Sequence, residues 1–149
     1  MRTLITKLSA LTLIFILAMA AISVSSCNDE PKNQRGEQIK RGRALFDQYC
    51  ATCHGEDVRG KNIDSLKSQP ANLRHIMKVR RAPEFPVAEV ARIIDGRKLP
   101  EAHAKNREMP LWGDIFRQEG LFEEGKTITE GELKGKLADI IAYLMAIQD

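Results

Sequence analysis

The sequence predicts an all-helical domain, and three observations predict it. Between Gly36 and Tyr49 the apolar residues Ile39, Ala44, Leu45, Phe46 and Tyr49 mix with charges at helical spacing. Near the end, Leu133, Leu137, Ile140, Ile141 and Leu144 line one helical face behind a strong start signal. Between these two stretches no alternation of apolar and polar residues persists, as a strand would require. A chain of 149 residues suffices for one domain. Aromatics are only 5% of it against 29% charged residues, so a core of this size lacks the large rings that usually fill it.

The chain opens on a different composition. Arg2 and Lys7 flank a short polar start, and Leu8 to Val24 then runs without a charge. That reads as an export signal, of a length between a secretory apolar core and a minimal membrane span. Val24-Ser25-Ser26 puts small residues before Cys27, as bacterial lipoprotein signals do, although the commoner form is Leu-Ala-Gly. The expected organisation is therefore a lipoprotein-type signal peptide over residues 1–26, a lipidated Cys27 opening a polar linker over 27–35, and a folded domain over 36–149. An uncleaved signal anchor is the alternative. Either way the protein is exported and membrane-anchored, facing the periplasm or the cell exterior. Fully extended, the linker reaches only about 30 Å, so the domain works close to its membrane.

The first helix of the domain, predicted from Gly36, runs into Cys50-Ala51-Thr52-Cys53-His54. A dithiol oxidoreductase would place its cysteine pair near a βαβ pattern, which is missing here. A structural zinc site needs about four ligands, and beyond these three only His75 and His103 are ordinary candidates. C-x-x-C-H is also the attachment pattern of c-type haem, in which each thiol adds across a vinyl group and the following histidine ligates the iron. Lipid on Cys27 would account for the odd cysteine, and export favours thioethers over a free thiol pair that would oxidise. One covalent haem c, held by Cys50 and Cys53 with His54 as proximal iron ligand, is the reading that uses all three residues.

The middle elements are shorter. Pro86 opens a helical segment and Gly96 marks its stop. At the end of the chain Thr129 and Glu132 form a capping-box pattern, and Ile128 with Leu133 can make the hydrophobic staple. Gly131 and Gly135 weaken that helix by up to about 1 kcal/mol each unless close packing needs them.

Residues 36–149 resemble a class I cytochrome c. Gly42 and Phe46 stand eight and four positions before Cys50, as a glycine and an aromatic do on that family's first helix. Ile140 and Tyr143 match the aliphatic and tyrosine of its last helix, and "FPVAEVARIIDGR" and "REMPLWGDIF" resemble segments recurrent in bacterial members. The resemblance implies N- and C-terminal helices crossing over a covalently bound haem. It also implies a distal iron ligand on a loop before the final helix, and Met109 fits, because Pro110 biases it out of helix. Met77 lies in a basic run close behind His54, Met145 sits among the apolar residues of the last helix, and His103 is the rival that would give bis-histidine ligation. Pro70 resembles the family proline whose carbonyl accepts the proximal Nδ1 proton. Trp112 and Arg97 are candidates for the haem carboxylates.

The function expected is single-electron transfer by a carrier that is not itself an enzyme. Its partners would be redox proteins such as a respiratory complex or terminal oxidase. The alternatives are a haem-based ligand-binding sensor and a haem subunit of a larger membrane oxidoreductase. Residues 1–26 hold two of the 23 basic residues and none of the 20 acidic ones, so the remainder carries formal charge +1. That near neutrality, with export, excludes nucleic acid as a partner class. Lys67, Arg74, Lys78, Arg80 and Arg81 nevertheless cluster ahead of an acidic stretch from Glu119 to Glu132, an uneven field able to orient an encounter.

Overall fold

The structure is a computed structural model that describes residues 31–97, 107–123, 125 and 127–149, and among these every regular element is helical. They run α1 (Pro31–Tyr49), α2 (Ala51–His54), a 3-10 turn (Leu73–His75), α3 (Ile76–Arg80), α4 (Val87–Asp95), α5 (Trp112–Glu123) and α6 (Glu130–Ala146). The compact unit is Arg35–Asp149. The first helix starts at Pro31, so the last five residues of the stretch read as a linker are helical. Gly36, which suggested a helix start, lies inside α1. The signal peptide and Cys27 lie outside the described residues. No helix among the described residues is long and apolar enough to cross a membrane.

Two terminal helices cross, and a glycine sets how closely. A Cβ on Gly42 would overlap the Asp139 carbonyl oxygen and lie 2.9 Å from Tyr143 Cβ, so only hydrogen fits. One turn on, the rings of Phe46 and Tyr143 meet with centroids 5.4 Å apart. Phe46, Ile140, Tyr143 and Leu144 are all buried. Polar contacts flank the crossing. Arg41 Nε donates to Asp139 at 2.8 Å, and Arg43 Nη1 donates to the Tyr143 hydroxyl at 3.1 Å.

Gly42→Ala is expected to cost about 1 to 3 kcal/mol, the range for overpacking a tight contact. Gly36 has no atom within 4 Å of the equivalent position. Gly36→Ala is therefore expected to stabilise the helix by up to about 1 kcal/mol. Denaturant unfolding of the two holoprotein variants checks both signs; equal effects would mean that the crossing is not close-packed.

The start of α6 is fixed by its cap. Thr129 Oγ1 accepts the Glu132 N–H, and the Glu132 carboxylate accepts the Thr129 N–H at 2.6 Å, an arrangement worth about 1 kcal/mol. Ile128 and Leu133 on either side are buried, as a staple requires. Gly131 and Gly135 are exposed with no close neighbour that would demand them. The far end of α6 is tied down as well. Gln148 Nε2 donates to the Leu73 and Leu144 carbonyls, and Arg74 makes a two-pronged contact with Asp149. Meanwhile α4, capped by Gly96 in the left-handed region, packs against both α5 and α6. Its buried Val90 and Ile94 join the core of the terminal helices.

Candidate functional site

The site grows out of one helical joint. Helix α1 ends at Tyr49 and α2 begins at Ala51, so Cys50 links them. Its N–H donates to the Phe46 carbonyl at 2.8 Å, and its carbonyl accepts the amides of Cys53 and His54 at 3.2 and 2.9 Å. One turn thus displays Cys50, Cys53 and His54 together. Both thiols are free and partly buried.

Past His54 the chain folds back tightly. Gly55 leaves the helix at φ 78, and Gly60 sits at φ 87 with its N–H donating to the His54 carbonyl at 2.8 Å. A side chain on Gly60 would overlap the Pro70 carbonyl oxygen. Val58 holds a left-handed φ of 64, a strained choice for a β-branched residue. Its buried side chain and the Leu73 N–H, which donates to its carbonyl at 3.0 Å, hold it there. The result is that residues 70–73 are pinned beside the histidine.

The carbonyl that reaches the ring belongs to Ala71, 3.1 Å from His54 Nδ1. Pro70, which the sequence suggested, is one residue short, because its own carbonyl turns to the Gly60 backbone. A carbonyl can only accept, so Nδ1 carries the proton and Nε2 keeps its lone pair. Burial pushes the His54 pKa below its ordinary value, with the Ala71 contact working against it. The imidazole is thus neutral and oriented, as a metal ligand must be.

Beside this turn opens a cavity of about 660 Å³, within the range typical of ligand sites. Cys50, Cys53 and His54 line it, together with apolar Leu73, Ile76, Val90 and Ile94. Met109 lines it too, carried on the segment ahead of α5. That segment is held on both sides of Met109. Glu108 accepts the Lys67 N–H at 3.1 Å, and the Pro110 carbonyl accepts from Arg107 Nη2 at 2.8 Å and from the Trp112 N–H at 3.1 Å. Trp112, stacked on Phe116 and edge-on to Tyr49, closes part of the wall.

The rival ligands are placed elsewhere or not described. Met77 does not line the cavity, and its amide donates to Gln148. Met145 is exposed on α6. His75 accepts from Asn72 Nδ2 through Nδ1 and turns Nε2 toward Asp149. His103 lies outside the described residues. Arg97 does not line the cavity and forks onto Asp95 and Glu130.

The donor chemistry separates the readings left open by the sequence. Burial, with a further contribution from Cys53, pushes the Cys50 thiol up to about 12, the reverse of the acidic thiol a redox dithiol uses. Among the described residues no group of three or more His, Cys, Asp or Glu side chains is placed to hold a metal ion. A flat, apolar macrocycle with a metal at its centre fits instead. It needs two thiols and an imidazole from one turn, a soft thioether, and apolar walls, and all of these face one cavity. Sequence reasoning missed Ala71 and also Arg107, which lines the same wall. Neither carries a local sequence signal.

A family model described as "Cytochrome C oxidase, cbb3-type, subunit III" matches residues 37–119, which include the cysteine pair, His54 and Met109 and stop short of α6. Comparison with curated proteins and with solved structures finds no significant match.

Proposed function

We propose that this chain, which belongs to the family described as cbb3-type cytochrome c oxidase subunit III, is a membrane-tethered carrier that passes single electrons between redox partners outside the cytoplasm. It is a class I c-type cytochrome with one covalently bound haem c, and its domain serves electron transfer. The observation that carries the proposal is the meeting of Cys50, Cys53, an oriented neutral His54 and Met109 in one apolar cavity.

When bound, haem c supplies a one-electron couple at iron. The chain's own residues do the rest. Cys50 and Cys53 hold the macrocycle by thioethers, so it is not exchanged. His54 offers Nε2, kept in line by the Ala71 carbonyl, and Met109 offers a soft thioether that favours the reduced metal. Leu73, Ile76, Val90 and Ile94 exclude water and lower the local dielectric, which disfavours the extra positive charge of the oxidised state. No side chain has to move a proton.

The lipid on Cys27 and the export of the domain belong to the same proposal. The family's name is that of an oxidase subunit, which favours a terminal oxidase or another respiratory complex as the partner. Intact-mass analysis of protein from native membranes should find a mature chain starting at acylated Cys27 and carrying one haem. A chain that keeps residues 1–26 would replace the lipid by a signal anchor. Mild-detergent purification from the same membranes should recover the cytochrome without a respiratory complex in fixed ratio, and fixed-ratio recovery with one would make it a subunit of that complex instead of a shuttle.

A further inference from the structure

The cavity wall contains two arginines, Arg80 and Arg107. Arg80 has a counter-ion, Glu89, at 2.7 Å. No carboxylate among the described residues pairs with Arg107. Its Nη2 donates to two backbone carbonyls, of Ile93 and Pro110, each at 2.8 Å. Its Nε is buried and has no partner. The guanidinium also packs on the backbone of Gly96, where a Cβ would come within 2.9 Å of Nη2 and 3.1 Å of Cζ. A positive charge is therefore held in place on the rim of an apolar cavity, with its buried Nε–H left without a partner.

Two backbone carbonyls supply partial charges and cannot neutralise a cation. An orphaned buried N–H carries a desolvation penalty that a hydrogen-bond acceptor would remove. An anion carried by the cavity's occupant would answer both the charge and the unpaired Nε–H. Haem c brings carboxylates on its two propionate arms, and guanidinium is the side chain whose fork matches a carboxylate.

We infer that Arg107 is the counter-ion of a haem propionate, with Nε donating to a carboxylate oxygen while Nη2 stays on the Ile93 and Pro110 carbonyls. Arg97, the candidate that the sequence offered for this role, is already committed to Asp95 and Glu130. The inference rests on the site reading above, in which this cavity is where the haem sits. Arg107 is then a positioning residue with an electrical consequence. Its charge beside the macrocycle disfavours the oxidised centre and raises the potential. Because its Nη2 also holds the Pro110 carbonyl, it couples the haem edge to the segment that carries Met109.

The test uses the holoprotein. Arg107→Gln keeps an amide for the carbonyls and removes the charge, whereas Arg107→Lys keeps the charge and loses the fork. Arg107→Gln is expected to shift the oxidised-to-reduced ratio at the wild-type midpoint about tenfold toward oxidised, equivalent to about 59 mV for a one-electron couple. Arg107→Lys should recover most of that shift. If both variants melt at lower temperature but keep the wild-type potential, Arg107 is only a backbone brace and the inference falls. A measurement on the wild type needs no variant to fold. In ferrous holoprotein the Arg107 Nε–H should exchange slowly with solvent and show a nuclear Overhauser contact to propionate methylene protons. Fast exchange without that contact would overturn the pairing and leave the site reading intact. Absence of covalent haem from the wild-type chain would overturn the site reading itself.

Discussion

Replacing both Cys50 and Cys53 by alanine is expected to abolish covalent haem and to remove most of the helical circular dichroism with it. The cofactor cavity is not a cleft beside a finished core. Phe46, Ile76, Val90, Ile94, Ile140 and Leu144 belong to the buried core and also line the cavity. A cavity coefficient of about 24 cal/mol per Å³, applied to about 660 Å³, gives an upper bound on the order of 15 kcal/mol. Domain stabilities are about 5 to 15 kcal/mol, so loss of the group that covers these apolar walls is large on the scale of the whole fold. Without the macrocycle, Phe46, Ile140 and Leu144 of the crossing helices lose part of their apolar cover, which weakens the packing between those helices. Haem staining after denaturing electrophoresis reports the attachment, and thermal circular dichroism reports the fold. Cooperative unfolding from native-like helicity in the haem-free chain would show that the peptide core stands alone.

What the sequence revealed about this site follows the range of the interactions involved. Cys50, Cys53 and His54 act within one turn, and the Thr129 and Glu132 cap closes over four residues, so both could be read locally. The crossing was also legible, because Gly42 and Phe46 occupy one face of a helix and Tyr143 one face of another. Ala71 was missed by one residue. The register of that loop is set by Gly60 against Pro70 and by Val58 against Leu73, contacts that no short window contains. Arg107 was invisible for a similar reason, since its burial depends on Ile93 and Gly96 in another element. The basic run behind His54 also changes meaning in the fold. Arg74 and Arg80 are paired with Asp149 and Glu89, so much of the uneven charge seen along the sequence is balanced locally. Exposed pairs of this kind add little stability, but they shrink the field available to steer a partner. The start of α1 at Pro31 was hidden by Gly36, which reads as a boundary although the helix continues through it.

Met109→Ala is expected to produce the largest change in the metal centre without unfolding the domain. Met109 is partly buried and packs at the margin of the core, so its truncation trims the margin and leaves the terminal helices joined. Its chemical effect is larger. The thioether is the one soft donor that the described residues place in the cavity besides the two cysteine sulfurs. Ferric wild-type protein should show the near-infrared sulfur-to-iron band, and the ferrous form should ignore carbon monoxide. In the variant that band should vanish and carbon monoxide should bind the ferrous protein. The midpoint potential should fall for two reasons acting in one direction. A ligand that favours the reduced state is lost, and water entering the vacated wall stabilises the oxidised charge. Met77→Ala, outside the cavity lining, should leave all three readouts unchanged. His103→Ala is the informative comparison. If His103 proves sensitive while Met109 is silent, the iron has two histidine ligands and a lower potential, and the held segment around Glu108 and Pro110 serves only to shape the wall. If neither variant changes the spectrum, the distal position is already open, and ligand sensing then explains the cavity better than electron transfer does.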